Sequence, residues 1–104
     1  MLNGSLNQLI KRIAKRPGMY VHTVSFDTIL AFLEGFGMAC GPGTLKPLED
    51  WVREKLGITG EALALSGMVR LAVEQGCPNS SEDERVAYLL SMLAEYAREN
   101  ASEL

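Results

Sequence analysis

Histidine is nearly missing from this chain: His22 is the only one. A single imidazole excludes any metal site built on two histidines, and it leaves a Ser/His/Asp relay resting on that residue alone. Cysteine is scarce too. Cys40 and Cys77 stand far apart, in neither CxxC nor Cys/His spacing, so no zinc or redox motif is expected. The expectation for both thiols is buried or idle in a reducing cytosol. The glycines form no GxxxxGK[ST] loop and no GxGxxG turn after a strand, which removes the familiar phosphate cradles. Apolar runs such as 86–90 stop well short of the roughly 20 positions that a membrane helix needs. The N-terminus reaches its basic cluster only after an amphipathic stretch, the reverse order to a secretory signal. A cytoplasmic protein without a membrane span, metal or cofactor is the expectation.

What remains is the composition of a globular chain. With 47% hydrophobic and 22% charged residues over 104 positions, the sequence has enough apolar mass for one self-sufficient core and too little charge for disorder. A single domain over 1–104 is expected. The net charge of −3 conceals an asymmetry: residues 1–25 hold Lys11, Arg12, Lys15 and Arg16 and no acid, while all thirteen acids lie beyond them.

Apolar spacing reads as helix almost throughout. Leu6, Leu9, Ile10 and Ile13 recur at i, i+3, i+4 and i+7, with Ser5 placed to cap the first turn. Lys11, Arg12, Lys15 and Arg16 then project from the opposite side. Pro17-Gly18 ends this helix, because proline disfavours helical geometry in the residue before it and glycine readily adopts turn dihedrals. An extended link over 19–24 leads to a second helix capped by Ser25, with Ile29, Leu30, Leu33 and Phe36 inward and Asp27 at its positive end. Gly35 and Gly37 in its second half predict close backbone packing or an early stop.

The break at Gly41-Pro42-Gly43 leads to a third helix starting at Thr44, with Leu48, Trp51, Val52 and Leu56 inward and Gly57 closing it. Thr59 is expected to cap a fourth, carrying Leu63, Met68, Leu71 and Ala72, kinked at Ser66-Gly67 and ending at Gly76. Ser81 followed by Glu84 is a capping box for a fifth, with Val86, Leu89, Leu90 and Leu93 facing in. The acids Glu82, Asp83 and Glu84 offset the dipole of that helix rather than bind a cation. The fold class is therefore all-α: a compact bundle of about five short helices.

No nucleophile or matched acid and base is assembled along the chain, so the expected function is binding rather than catalysis. The candidate surface is Lys11, Arg12, Lys15 and Arg16, joined by Tyr20 and His22 beside the turn. Four cations on one helix face are open to three readings: a solvated face, an acidic protein partner, or nucleic-acid phosphates. The net acidity places nucleic acid behind a protein partner. A helical surface is also open to self-association as a homodimer.

The run Lys15-Arg16-Pro17-Gly18-Met19-Tyr20 between two helices resembles the KRPGMYIG stretch of the gyrase B-like ATPase subunits. No DxGxG nucleotide motif follows, and residues 29–36 offer only Glu34 as an acid. A second resemblance covers more of the chain. Arg16 to Tyr20, Phe26 to Gly35, Trp51-Val52-Arg53 and Ala87 to Tyr96 are similar to a group of small bacterial helical proteins with an RPGMY turn. Several of these look like immunity proteins of bacterial toxin systems, with glycine common where His22 stands here. That resemblance implies a helical, non-catalytic protein that neutralises a toxin domain by binding it. It carries over no catalytic residue; Pro17 and Gly18 would form the corner, Met19 and Tyr20 would anchor it to the core, and Arg16 would reach a carboxylate or a helix end.

Overall fold

The computed structural model describes residues 2–41, 43–57 and 64–100. Five α-helices and one short turn of 3-10 helix account for most of them: α1 Leu2–Lys15, the turn Pro17–Met19, α2 Phe26–Cys40, α3 Lys46–Leu56, α4 Leu65–Gly76 and α5 Glu82–Asn100. No strand occurs among the described residues. The chain is a single-domain all-α bundle, and its radius of gyration of 13.0 Å is that of a compact chain of this length.

Each helix contributes a stripe to one continuous core. Leu6, Ile10 and Ile13 of α1 meet Phe26, Ile29, Leu30 and Leu33 of α2, and Leu48 and Val52 come from α3. From α4 come Leu65, Met68, Val69 and Val73, and from α5 Leu89, Leu93, Tyr96 and Ala97. The outer members of the predicted stripes, among them Leu9, Phe36, Trp51, Leu56, Leu71, Val86 and Leu90, are half-buried.

Helix α5 lies antiparallel to α1. Near one end the Asn7 amide donates to the Asn100 carbonyl at 3.5 Å, and further along Ala14 and Ala94 border the same groove, so one chain number rises as the other falls.

The local stop and start signals are partly as the sequence implies. Ser25 accepts the N–H of Thr28 at 3.1 Å while Thr28 Oγ1 accepts the N–H of Ser25 at 3.0 Å, a reciprocal capping box. Ser81 and Glu84 form a second, at 3.2 and 2.8 Å. Gly57 ends α3 in the left-handed region, at φ 68°, and α4 ends at Gly76.

Other expectations are corrected. Ser5 does not stand at the cap position, because α1 begins three residues earlier and Ser5 lies inside it. Thr44 does not start α3. It is 2% exposed and its hydroxyl donates to the Gly41 carbonyl at 2.8 Å, closing the preceding loop, and α3 starts two residues later with Pro47 in its first turn. Ser66-Gly67 is no kink, since both residues sit in the opening turn of α4; Thr59 and Leu63 lie outside the described residues. Of the two readings of the thiols, buried or idle, the buried one falls: Cys40 is exposed and Cys77 half-exposed, and both are free. No helix among the described residues is long and apolar enough to cross a membrane.

Candidate functional site

The basic face follows from the burial of α1. With Ile10 and Ile13 in the core, the 100° step of the helix turns Lys11, Arg12 and Lys15 outward, and all three are exposed. Arg16 leaves the helix at φ −142°, ψ 71°, outside the helical region that a following proline disfavours, and is exposed as well.

The segment after it is not an extended link. Pro17, Gly18 and Met19 wind one 3-10 turn, and the Pro17 carbonyl accepts from the N–H groups of Tyr20 and Val21 at 2.9 and 3.1 Å. This compact turn has one inward anchor where two were expected. Tyr20 is half-buried with its ring 5.9 Å from that of Phe32, tilted by 54°, whereas Met19 points outward and is 71% exposed. Winding the turn places consecutive side chains on different sides, so Met19 and Tyr20 do not both reach the core. Arg16 reaches no carboxylate or helix end among the described residues; its backbone carbonyl accepts the Met19 N–H instead. His22 is exposed in the loop beyond.

The ten basic residues divide into two sets. Lys46 and Arg53 pair with Asp50, Lys55 with Glu95 and Glu99, and Arg70 with Asp27. The Arg85 guanidinium stands 4.8 Å from the centre of the Phe26 ring. Among the described residues, Lys11, Arg12, Lys15, Arg16 and Arg98 have no acidic or aromatic partner.

Three of these unpartnered cations converge. Lys11 and Lys15 from α1 and Arg98 from α5 border an open groove of about 460 Å³ between the two antiparallel helices, and Ala14, Ala94 and Ala97 supply its apolar surface. Arg12, Arg16, Tyr20 and His22 do not line it. The predicted set therefore separates into a groove edge, an outer cationic strip and a turn.

Arg98 and the alanines went unforeseen. Ala94, Ala97 and Arg98 do recur at i, i+3 and i+4, the spacing of one helix face, but only the pairing of α5 with α1 turns that spacing into a groove. Chemically, the arrangement can hold an elongated anionic group with an apolar underside. Among the described residues, no three His, Cys, Asp or Glu side chains are placed to hold a metal ion together. No protein-family model, no curated protein and no solved structure matches the chain.

Proposed function

We propose that this protein is a non-catalytic, cytoplasmic binding module that captures an acidic protein surface with the cationic side of α1 and the adjoining end of α5. One observation carries the reading: half of the basic residues have no acidic or aromatic partner among the described residues, and three of those five border one groove. Exposed cations without internal partners keep their field for an incoming anion and raise its rate of capture. The resemblance of the RPGMY turn to toxin-system immunity proteins supplies the form such capture would take in a cell, the blocking of a bacterial toxin domain.

A protein partner fits better than nucleic acid. The groove surface is alanine, without the aromatic platforms that stack bases or the amide side chains that read their edges. The remainder of the chain is net acidic and would repel a polyanion that extended past the groove.

The test compares polyglutamate with a DNA duplex of equal charge, using wild type and the double variant Lys11→Glu/Lys15→Glu. Polyglutamate should bind the wild type and weaken about tenfold as ionic strength rises from about 0.05 to about 0.2 M. The variant should lose binding without losing helicity. Tighter binding of the duplex would replace this reading with a nucleic-acid one, and no binding of either polyanion would end it.

A further inference from the structure

The geometry points to a more specific partner: we infer that the groove between α1 and α5 is a docking trough for an acidic amphipathic helix of another protein. The inference rests on the acidic-partner reading above and adds the shape of what binds.

The trough runs between two antiparallel helices and its apolar surface is alanine, at Ala14, Ala94 and Ala97. Small side chains let a third helix approach toward the near end of the usual range of interaxial distances, about 8 Å. Larger residues there would hold it off. Lys11 and Lys15 stand one turn apart, about 6 Å along the axis of α1. A partner helix with glutamates at i and i+4 presents its carboxylates at that same spacing, so each lysine meets one. Arg98, from the opposite helix, offers a forked donor to a third carboxylate. Arg12 and Arg16, outside the trough, add long-range attraction without contact.

The occupant is another protein rather than a second copy seated face to face. A two-fold pairing of this surface with itself would set Lys11, Lys15 and Arg98 against their own equivalents, cation against cation. The volume of about 460 Å³ falls within the range of preformed binding sites.

The experiment uses a lactam-stapled helix of about 15 residues, with an alanine and leucine stripe flanked by glutamates at i and i+4. Its controls are flexible polyglutamate of equal charge and a stapled helix with the glutamates moved off that spacing. Fluorescence anisotropy should show the designed helix binding about tenfold tighter than either control, since it arrives already ordered. In methyl NMR the Ala14, Ala94 and Ala97 signals should shift on binding. Ala94→Leu, which fills the trough without touching a charge, should weaken the designed helix about tenfold. Ala94→Gln, checked by circular dichroism alongside it, should act in the same direction if the leucine variant fails to fold.

Equal affinity for all three peptides, or unmoved alanine methyls, would overturn the trough while leaving the acidic-partner reading intact. A dimer in sedimentation that Ala94→Leu dissolves would assign the trough to a second copy and overturn it too. If polyglutamate and the designed helix both fail to bind, the broader reading falls as well.

Discussion

The Glu82 carboxylate, in the first turn of α5, accepts the backbone N–H of Phe26, the first residue of α2, at 2.7 Å. One anion thus serves the positive ends of two helices far apart in sequence. Arg70 and Arg85 stand 5.4 and 4.8 Å from the centre of the ring of that same Phe26. Removing the acceptor leaves an N–H at the helix start without its partner. Glu82→Ala should cost about 1–2 kcal/mol, with Glu82→Gln recovering part of the loss, read from urea unfolding midpoints. A change within about 0.5 kcal/mol for both would show that water replaces the carboxylate at no cost.

A second long-range cap explains why the start of α4 escaped the sequence. The residue before α4 is Ala64, which has no capping side chain, and the Ser66 N–H is taken instead by Glu34 of α2 at 3.3 Å. The capping boxes at Ser25/Thr28 and Ser81/Glu84 were legible because both partners lie within three residues. The caps from Glu82 and Glu34 span 56 and 32 residues and exist only once the helices pack. The same division holds for the site. The cationic face of α1 is a periodicity and could be read; the groove needs Arg98 and two alanines from the far end of the chain.

Gly35 and Gly37 share one helix and predict opposite outcomes. A Cβ on Gly35 meets nothing within 4 Å, whereas one on Gly37 would lie 2.7 Å from Cγ of Leu45. Of the two outcomes expected for this stretch, close packing or an early stop, the first occurs at Gly37 alone and the second does not, since α2 continues to Cys40. Gly35→Ala should therefore stabilise by about 0.5–1 kcal/mol, the ordinary helix gain. Gly37→Ala must push Leu45 aside and should be less stable than Gly35→Ala by about 1–2 kcal/mol. Thermal unfolding of the two variants decides it, and equal midpoints would show that Leu45 rotates away freely.

The only tryptophan reports on the α3 to α5 contact. Trp51 Nε1 donates to Glu99 at 2.8 Å, Lys55 bonds the same carboxylate at 3.2 Å, and Tyr96 meets the indole edge-on at 5.5 Å. The Trp51 hydrogen bond first, and then the Lys55 one, hold the Glu99 carboxyl below its ordinary value of 4.5. Glu99 in turn raises Lys55 above 10.5. A depressed carboxylate stabilises the fold above its unfolded value, and the contribution is lost as pH falls through the folded one. The raised lysine behaves oppositely, its share disappearing only as pH climbs past its own folded value. Trp51 emission should change on acidification with a midpoint below 4.5, and Glu99→Gln should erase that step. A midpoint at or above 4.5 would mean that the indole and ammonium do not hold the carboxylate in solution.

The RPGMY turn separates into residues that build the corner and residues that face solvent. Gly18 is not among the glycines with positive φ, and a Cβ there would come only to ordinary contact, 4.0 Å from Val24. Nothing in the turn demands glycine, contrary to what the Pro-Gly pair suggests. Gly18→Ala should therefore be neutral or stabilise by up to about 1 kcal/mol through the unfolded state. Met19→Ala should also change stability by less than about 0.5 kcal/mol, because the side chain has little contact to lose. Tyr20→Ala removes an aromatic packed on Phe32 and the core, and should cost about 2–3 kcal/mol. Chemical denaturation of the three variants gives the ordering, and polyglutamate binding measured on the same samples tells whether the exposed turn joins the capture surface. If Met19→Ala leaves both stability and binding unchanged, the surface ends at Arg16; if it weakens binding alone, the methionine is an apolar anchor at the edge of the cationic face.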